Sequence, residues 1–412
     1  MKDYDILVIG AGVVGTSLVL ALAHLPLRIA LVEQRAFESA DPPALKNKPI
    51  ALNYASIHIL QTLVPWSALS VHANPIKMVH VSEQGRFAAA RIKAKEMGVT
   101  ALGYVIPATQ LNKVCTEALL QRATVSKNEK YGIDLYNPAQ CKALTKTTNG
   151  WEILITTPKN KTALTIHARL LIVADGSHSV TRNLLGIKVK KQRVEQRALS
   201  ATLSLARHHH YTAHQRFTRE GVVACLPLSE NNVGIIWTAA HPFIDELSVC
   251  AEFDFLARLQ SIFSYHLGKF VTSGPRCVYS TKSFIAELQA KPGLVLLGNA
   301  AHTLSPIAAQ GLNLALLDMV ELVDILIQAV YENKDLADPW ISQTYLTNRL
   351  PPQRRSIGFT ENLASVFRLR FIPLTLLRSS ALLAFDLVPF FKKNISRRLM
   401  GIHGRFPAWL TT

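Results

Sequence analysis

The stretch Tyr4–Glu33 constrains this chain more than any other. A short apolar run, Tyr4–Ile9, ends at Gly10-Ala-Gly12-Val-Val-Gly15. A helix is expected from there to about His24, and a second apolar strand, Arg28–Val32, closes on Glu33. Each glycine answers a steric demand: Gly10 permits the tight turn out of the strand, Gly12 lets a pyrophosphate approach the backbone, and Gly15 lets helix and strand pack closely. Glu33, 18 residues past Gly15, stands where a carboxylate takes both hydroxyls of a ribose. Three spaced glycines alone are a weak signal. Strand, glycines, helix, strand and terminal acid in that order predict an adenine-dinucleotide site in an α/β layer, without choosing between FAD and NAD.

A second strand–loop–helix stretch comes late, over Leu294–Leu322. The apolar run Leu294–Leu297 stops at Gly298 and Asn299, Pro306 forces an extended turn, and Gln310-Gly311-Leu312-Asn313 opens a long apolar helix. The free amides and positive dipole end of that helix point at whatever the loop holds. A reduced flavin, negatively charged on its pyrimidine edge, suits them. Between the two stretches, Lys77–Val81 and Phe87–Ile92 read as a hairpin around Gln84-Gly85, and Trp151–Thr156 and Leu164–Val173 as strands. Three β-rich runs between Ala198 and Ala240 predict an antiparallel sheet. Ile50–Leu63, Gln110–Leu120 and Phe253–Phe263 read as helices, and Ser39–Lys48 as a polar loop. A nicotinamide-dehydrogenase domain need not return to cofactor duty after such an insertion. A flavin, whose isoalloxazine lies far from its adenine, requires protein from a distant part of the chain.

Length and charge narrow the setting. A chain of 412 residues accommodates roughly two or three domains. Of its net charge of +17, +9 falls within residues 346–412, which hold 11 Lys/Arg against Glu361 and Asp386. Apolar residues interleave those charges in FRLRFIPLTLLR and PFFKKNISRRLM, which favours an anionic membrane surface over nucleic acid, and no nucleic-acid motif is present. The apolar segment Phe371–Phe391 carries Pro373, Arg378, Asp386 and Pro389, so it is expected to lie on a bilayer, not to cross it. The N-terminus runs straight into a strand and reads as no signal peptide. Five scattered cysteines without a CxxC read as reduced thiols of a cytoplasmic protein. His208-His209-His210 with His214 cannot all face one ion from a strand, so a loop is expected there and no metal site.

One more motif completes the set. Leu171–Val173 leads into Ala174-Asp175-Gly176, then Ser179 as a candidate helix cap, then Arg182. The GxGxxG with its later acid, ADGxxSxxR, and the late GNAAH…P…QG together resemble the aromatic-ring flavoprotein monooxygenases typified by p-hydroxybenzoate hydroxylase. The chain is more similar still to their ubiquinone-biosynthesis branch, the 2-octaprenyl-6-methoxyphenol hydroxylases. PIKMVHVSEQGRF, ALGYVIP, HQRFTREGVVACLPL, GIIWT, SIGFTENLASVF and RRLMGIHGR carry that likeness over nearly the whole chain.

The resemblance implies an α/β fold: a discontinuous Rossmann-like FAD-binding domain (1–72, 99–183 and 272–345), an inserted antiparallel-sheet substrate domain (73–98 and 184–271), and a basic, apolar C-terminal helical region (346–412). It implies that Gly10, Gly12, Gly15 and Glu33 hold the AMP half of FAD, with Asp175 and Gly176 by the pyrophosphate and the NAD(P)H approach and Arg182 supporting that loop. Gly298 and Asn299 would adjoin the ribityl chain, with Gln310, Gly311 and Asn313 along the isoalloxazine and the Pro306 carbonyl near its reactive face. Three positions depart from the pattern. Asn299 stands where most relatives have Asp, although the methoxyphenol branch is similar to this chain in using Asn; Lys48 stands where they usually carry Arg, and Ala309 where they carry Gly. The implied chemistry is that of NAD(P)H reducing FAD and a C4a-hydroperoxyflavin hydroxylating a polyprenylated methoxyphenol, with dioxygen as co-substrate. Other ubiquinone-biosynthesis proteins and the inner-membrane surface are the implied partners. His302 is the nearest titratable candidate for catalysis, set against its being a packed histidine bonded to backbone. Another ring position of the same pathway, a hydroxylase of soluble aromatic compounds, and a non-catalytic flavin-binding subunit are the alternatives.

Overall fold

The structure, a computed structural model, describes residues 2–39, 48–125, 131–157, 163–191, 196–281, 283–368, 380, 382–386, 388–402 and 410. The expected loop between Ser39 and Lys48 lies outside the described residues apart from its two ends, as does much of the Phe371–Phe391 segment.

Lys2–Ile9 is the central strand of a parallel array. Arg28–Val32 and then Gly132–Tyr136 lie on one side of it, Ala163–Val173 and then Leu294–Leu296 on the other. Its alternate residues enter two different cores: Ile6 and Val8 pack beneath the helices Val13–Leu22 and Gln310–Tyr331, and Leu7 and Ile9 pack with Trp151 and Ile153. A strand buried on both faces loses polar alternation, which is why these segments read as unbroken apolar runs. Strand order brings the early and late strands together, with only Ala163–Val173 and the central strand separating Leu294–Leu296 from Arg28–Val32.

The second large sheet is the inserted one. Gln196–Leu205, Asn232–Ala240, Gly221–Pro227 and Thr212–Phe217 follow one another antiparallel. There are four strands where three runs were expected, because a tight turn, with the Thr218 amide donating to the Gly221 carbonyl at 2.7 Å, folds one run back on itself. The expected hairpin forms from Met78–Glu83 and Ala89–Lys93, and joins this sheet by a parallel ladder on Thr212–Phe217. Helices His241–Val249 and Glu252–Phe263 cover one face of the sheet. A further correction falls at Ile50–Leu63. Pro49–Asn53 is a strand paired antiparallel with Gly103–Pro107, and the helix begins only at Tyr54, where the Asn53 side chain accepts from the Ser56 amide. Helices Pro339–Arg368 and Pro389–Leu399 lie in the C-terminal part of the described residues.

Candidate active site

At the first helix start, sterics dictate the glycines. Gly10 has φ +105°, and a Cβ on it would sit 2.5 Å from the Ala174 carbonyl oxygen; one on Gly15 would sit 2.0 Å from that of Gly10. A Cβ on Gly12 meets nothing within 4 Å, and the helix has no side-chain cap, so its first amides face open space. Glu33 reaches back to this turn: one carboxylate oxygen accepts from the Ala11 amide at 2.7 Å and the other from the Arg35 amide at 2.8 Å. Asp175 arrives from the neighbouring strand, with Oδ2 accepting from the Thr181 amide at 3.1 Å and Oδ1 buried without a partner among the described residues. Gly176 beside it has φ +86°. An open cradle, an uncapped helix and two carboxylates at its edge fit the dinucleotide half of a flavin cofactor. Ser179 caps its helix as expected, accepting from the Arg182 amide at 2.9 Å. The buried Arg182 guanidinium donates to the carbonyls of Ala300 and Ser177 and lies over the Phe284 ring. It braces two loops with groups that a ligand contact would need.

The second helix start is assembled from remote pieces. Gly298, at φ +61°, packs its turn against Val14 in the first helix, leaving Asn299 exposed beside it. Pro306 begins a short 3₁₀ turn, Ala309 takes the left-handed conformation at φ +50°, and the helix from Gln310 has no side-chain cap. A Cβ on Gly311 would meet nothing. Asn313 proves to be a clasp. Its Oδ1 accepts from the Asn53 amide at 2.9 Å, and its Nδ2 donates to Ala51 at 3.1 Å and Ala309 at 2.6 Å. That side chain secures strand Pro49–Asn53 to the loop, so its amide is spent on protein where a flavin contact was expected. Lys48 lies with its ammonium 4.5 Å from the Tyr279 ring centroid, and burial lowers its pKa. His302 is a packed histidine, but its partner is a carboxylate and not backbone: Nε2 lies 2.7 Å from Asp318 Oδ2. Asp318 also accepts from Arg349 Nε at 2.6 Å and Gln353 Nε2 at 2.9 Å, which locks the loop helix to the first C-terminal helix. His302 is not among the residues that line the cavity described next.

A cavity of about 440 Å³ opens between this loop, strand Pro49–Asn53, the second sheet and the C-terminal segment. Strand parity explains its character. Val79, Val81, Ala213, Ala224 and Ile236 share the sheet face turned to it, and Gln215, opposite Val81 and Ala224, is the polar residue that this face adds to the described lining. His214 borders the cavity by its backbone position, yet its ring falls on the other face, 5.1 Å from His80 and 6.3 Å from Phe263. Burial, helped by His80, Arg216 and His266, pushes its pKa down to about 3, so the ring is neutral at physiological pH. Pro306, Ala309 and Gln310 form the loop side. None of the described lining residues is Lys, Arg, Asp or Glu.

Sequence reasoning missed the roof. Leu382, Phe385, Ile395, Ser396, Leu399 and Met400 line the cavity from the C-terminal segment. The segment is latched down by Arg91 to Asp386 at 3.0 Å, by Lys392 to Glu96 at 2.9 Å, and by the Asn53 side chain and Ala55 amide, which donate to the carbonyls of Leu399 and Met400. The signal was present in the spacing of Ile395, Ser396, Leu399 and Met400, one stripe of a helix in the basic tail. His208–His210 form a loop in which the His208 ring meets that of His209 tilted and that of His210 edge-on, with His209 Nε2 at 2.8 Å from the Leu228 carbonyl. Among the described residues no group of three His, Cys, Asp or Glu side chains could hold a metal ion, and no helix is long and apolar enough to cross a membrane.

Comparison with known proteins bears on all of this. The family profile described as FAD binding domain matches residues 3–360. The chain is 26% identical to ubiquinone hydroxylase UbiL of Rhodospirillum rubrum over 97% of its own length and 90% of that protein's. It is 27% identical to 3-demethoxyubiquinol 3-hydroxylase of Escherichia coli over 86% and 93%. Among solved structures it resembles p-nitrophenol 4-monooxygenase PnpA of Pseudomonas putida with a TM-score of 0.77 at 15% identity, covering 98% of this chain and 100% of that one.

Proposed function

Because the chain belongs to the FAD-binding-domain family of flavoprotein monooxygenases, we propose that it hydroxylates the aromatic ring of a polyprenylated methoxyphenol in ubiquinone biosynthesis, using FAD, NAD(P)H and dioxygen. The observation that carries this reading is the cavity: its described lining holds no Lys, Arg, Asp or Glu, is mostly apolar, and is bordered on one side by the loop Pro306–Gln310 that leads into the second uncapped helix. The names of the relatives from Rhodospirillum rubrum and Escherichia coli, both ubiquinone-pathway hydroxylases, support the choice of pathway.

In this reading residues 1–72, 99–183 and 272–345 form the cofactor-binding unit, and 73–98 with 184–271 the substrate unit. Gly10, Gly12, Gly15 and Glu33 hold the AMP half, Asp175 and Gly176 flank the pyrophosphate, and Gly298 and Asn299 adjoin the ribityl chain. Gln310 and Gly311 meet the isoalloxazine with backbone amides at a positive helix end, which favours a reduced, anionic ring. Arg182, Asn313 and the His302–Asp318 pair act one step back, holding these loops in register. When bound and reduced, the flavin supplies activation of dioxygen for transfer to an electron-rich ring. The protein's part is to seat that ring against the Pro306 side of the cavity and to exclude water. The aliphatic floor and the C-terminal roof do both. The basic, apolar tail serves delivery, drawing the enzyme to an anionic membrane in which the prenylated substrate is dissolved.

A hydroxylase of soluble aromatic acids is the second reading, and the cavity weighs against it: a buried carboxylate needs a cation, and the described lining has none. Substrate-stimulated NAD(P)H oxidation by the flavin-loaded enzyme separates the two. Stimulation by a short-tailed prenyl methoxyphenol and not by p-hydroxybenzoate is expected. The reverse pattern favours the second reading, and stimulation by neither compound overturns both.

A further inference from the structure

Ser396 sits in the last turn of the roof helix Pro389–Leu399 and is fully buried. Together with Ile395, Leu399 and Met400 it lines the cavity. Among the described lining residues it alone has a buried polar side-chain atom without a hydrogen-bond partner. A helical serine ordinarily satisfies its hydroxyl by bonding back to the carbonyl one turn earlier, or by facing water. This one does neither. The neighbouring polar groups do not rescue it: the Asn53 amide is engaged by the Leu399 carbonyl, and Asn313 is spent on backbone. A buried hydroxyl without a partner costs stability, and it stops being a cost when a ligand brings an oxygen to it.

We infer that Ser396 is a specificity-determining residue, whose hydroxyl hydrogen-bonds an oxygen substituent of the substrate ring. The residue type sets the chemistry. A neutral hydroxyl among described lining residues that carry no charge selects an uncharged phenolic or methoxy oxygen, which it can meet as donor or acceptor, and does not compensate a carboxylate. The C-terminal segment therefore contributes to substrate choice as well as closure. Its latches, Asp386 to Arg91 and the Leu399 and Met400 carbonyls to Asn53 and Ala55, set the position of Ser396 over the cavity. This inference rests on the assignment of the cavity to the substrate ring.

The test is a binding cycle on the flavin-loaded protein, wild type and Ser396→Ala. Three probes are used: a short-tailed prenyl methoxyphenol, its analogue lacking the phenolic hydroxyl, and its analogue lacking the methoxy group. Wild type is expected to prefer the parent over one of the two analogues by about tenfold, and Ser396→Ala to lose that preference while binding that analogue as tightly as wild type does. The ligand-free variant is expected to melt no lower than wild type, since its missing hydroxyl had no partner to lose. Equal weakening for all three probes, or none for any, overturns the inference and leaves the cavity assignment standing. A lower melting temperature without ligand overturns it too, by showing that the hydroxyl was bonded within the fold. Failure of wild type to bind any of the three brings down the cavity assignment, and the inference with it.

Discussion

The two helix starts of the site are built in opposite ways. At Gly12 every determinant lies within Tyr4–Glu33 or one strand away at Ala174: the glycines are demanded by backbone atoms 2.0 and 2.5 Å from where a Cβ would stand. At Gln310 nothing local forces the geometry. Gly311 has empty space where its Cβ would be, and the loop is held by Asn313 reaching to Ala51 and Asn53, and by Asp318 joining His302 to Arg349 and Gln353. One start is shaped by contacts that neighbouring residues cannot avoid. The other is shaped by hydrogen bonds between residues up to 262 positions apart. A local motif announces the first kind, and only the fold discloses the second.

The largest effect tests the second kind. Asp318 is fully buried; burial works to raise its pKa, but Arg349 and then His302 outweigh that and hold it below the ordinary carboxylate value. Asp318→Asn leaves Arg349 without its counter-charge, which is expected to cost about 3–5 kcal/mol of unfolding free energy by denaturant titration. The sign in pH follows. A carboxylate with a depressed folded pKa adds stability above its unfolded value of about 4, lost as pH falls below that. Wild type should therefore lose stability more steeply than Asp318→Asn in that acid range. Parallel acid curves would mean the loop is held by packing alone, and the contrast between the helix starts would vanish.

The glycines give the next effect, and the sharpest contrast. Gly15→Ala forces a methyl into the Gly10 carbonyl and is expected to destabilise by about 1–3 kcal/mol or more, with flavin lost as the turn opens. Gly311→Ala meets no atom and gains helix propensity, so its melting temperature should match or exceed that of wild type. Its flavin retention should nevertheless fall, since the space beside it serves ligand approach. Retention equal to wild type would remove Gly311 from the flavin site. Glu33→Ala comes third: each charge-assisted bond to a ribose hydroxyl contributes about 1.5–3 kcal/mol before competition from water, and flavin affinity measured by fluorescence should drop accordingly. Unchanged affinity would mean that the carboxylate serves only the Ala11 and Arg35 amides.

The same contrast explains what could be read in the sequence. The first βαβ unit, the hairpin at Gln84-Gly85 and the Ser179 cap depend on neighbours in the chain, and each was legible. Ile50–Asn53 reads as helix and folds as strand because its partners, Gly103–Pro107 and Asn313, lie far along the chain, although Asn53 three residues before Ser56 was a fair sign that the helix starts later. The partner of His302 was also visible in principle. Asp318 is a lone acid in the apolar run LNLALLDMV, and an acid buried on a helix needs a cation or a donor. The roof was legible only as a helix stripe, Ile395, Ser396, Leu399 and Met400: no local pattern says that Ser396 and Gln310 border the same space.

Ala309 offers the smallest effect and the finest discrimination. It begins the second helix at φ +50°, ψ +35°, where an L side chain crowds the following carbonyl and glycine does not. Left-handed backbone costs about 1–2 kcal/mol for a non-glycine residue, while glycine gives back about 0.4–1 kcal/mol through its freer unfolded chain. Ala309→Gly should therefore stabilise the protein by about 0.5–1 kcal/mol. No hydrogen bond is lost in the exchange, because Asn313 bonds the Ala309 carbonyl and not its side chain. The long-range clasp thus holds an unfavourable conformation that the local sequence resists, the reverse of Gly10 and Gly15, where local sequence and backbone agree. If Ala309→Gly raises the melting temperature only while Asn313 is intact, and Asn313→Ala abolishes the gain, the clasp is what imposes the strain. A gain of the same size in both backgrounds would place the left-handed turn in the loop's own preference, and the second helix start would then be as local as the first.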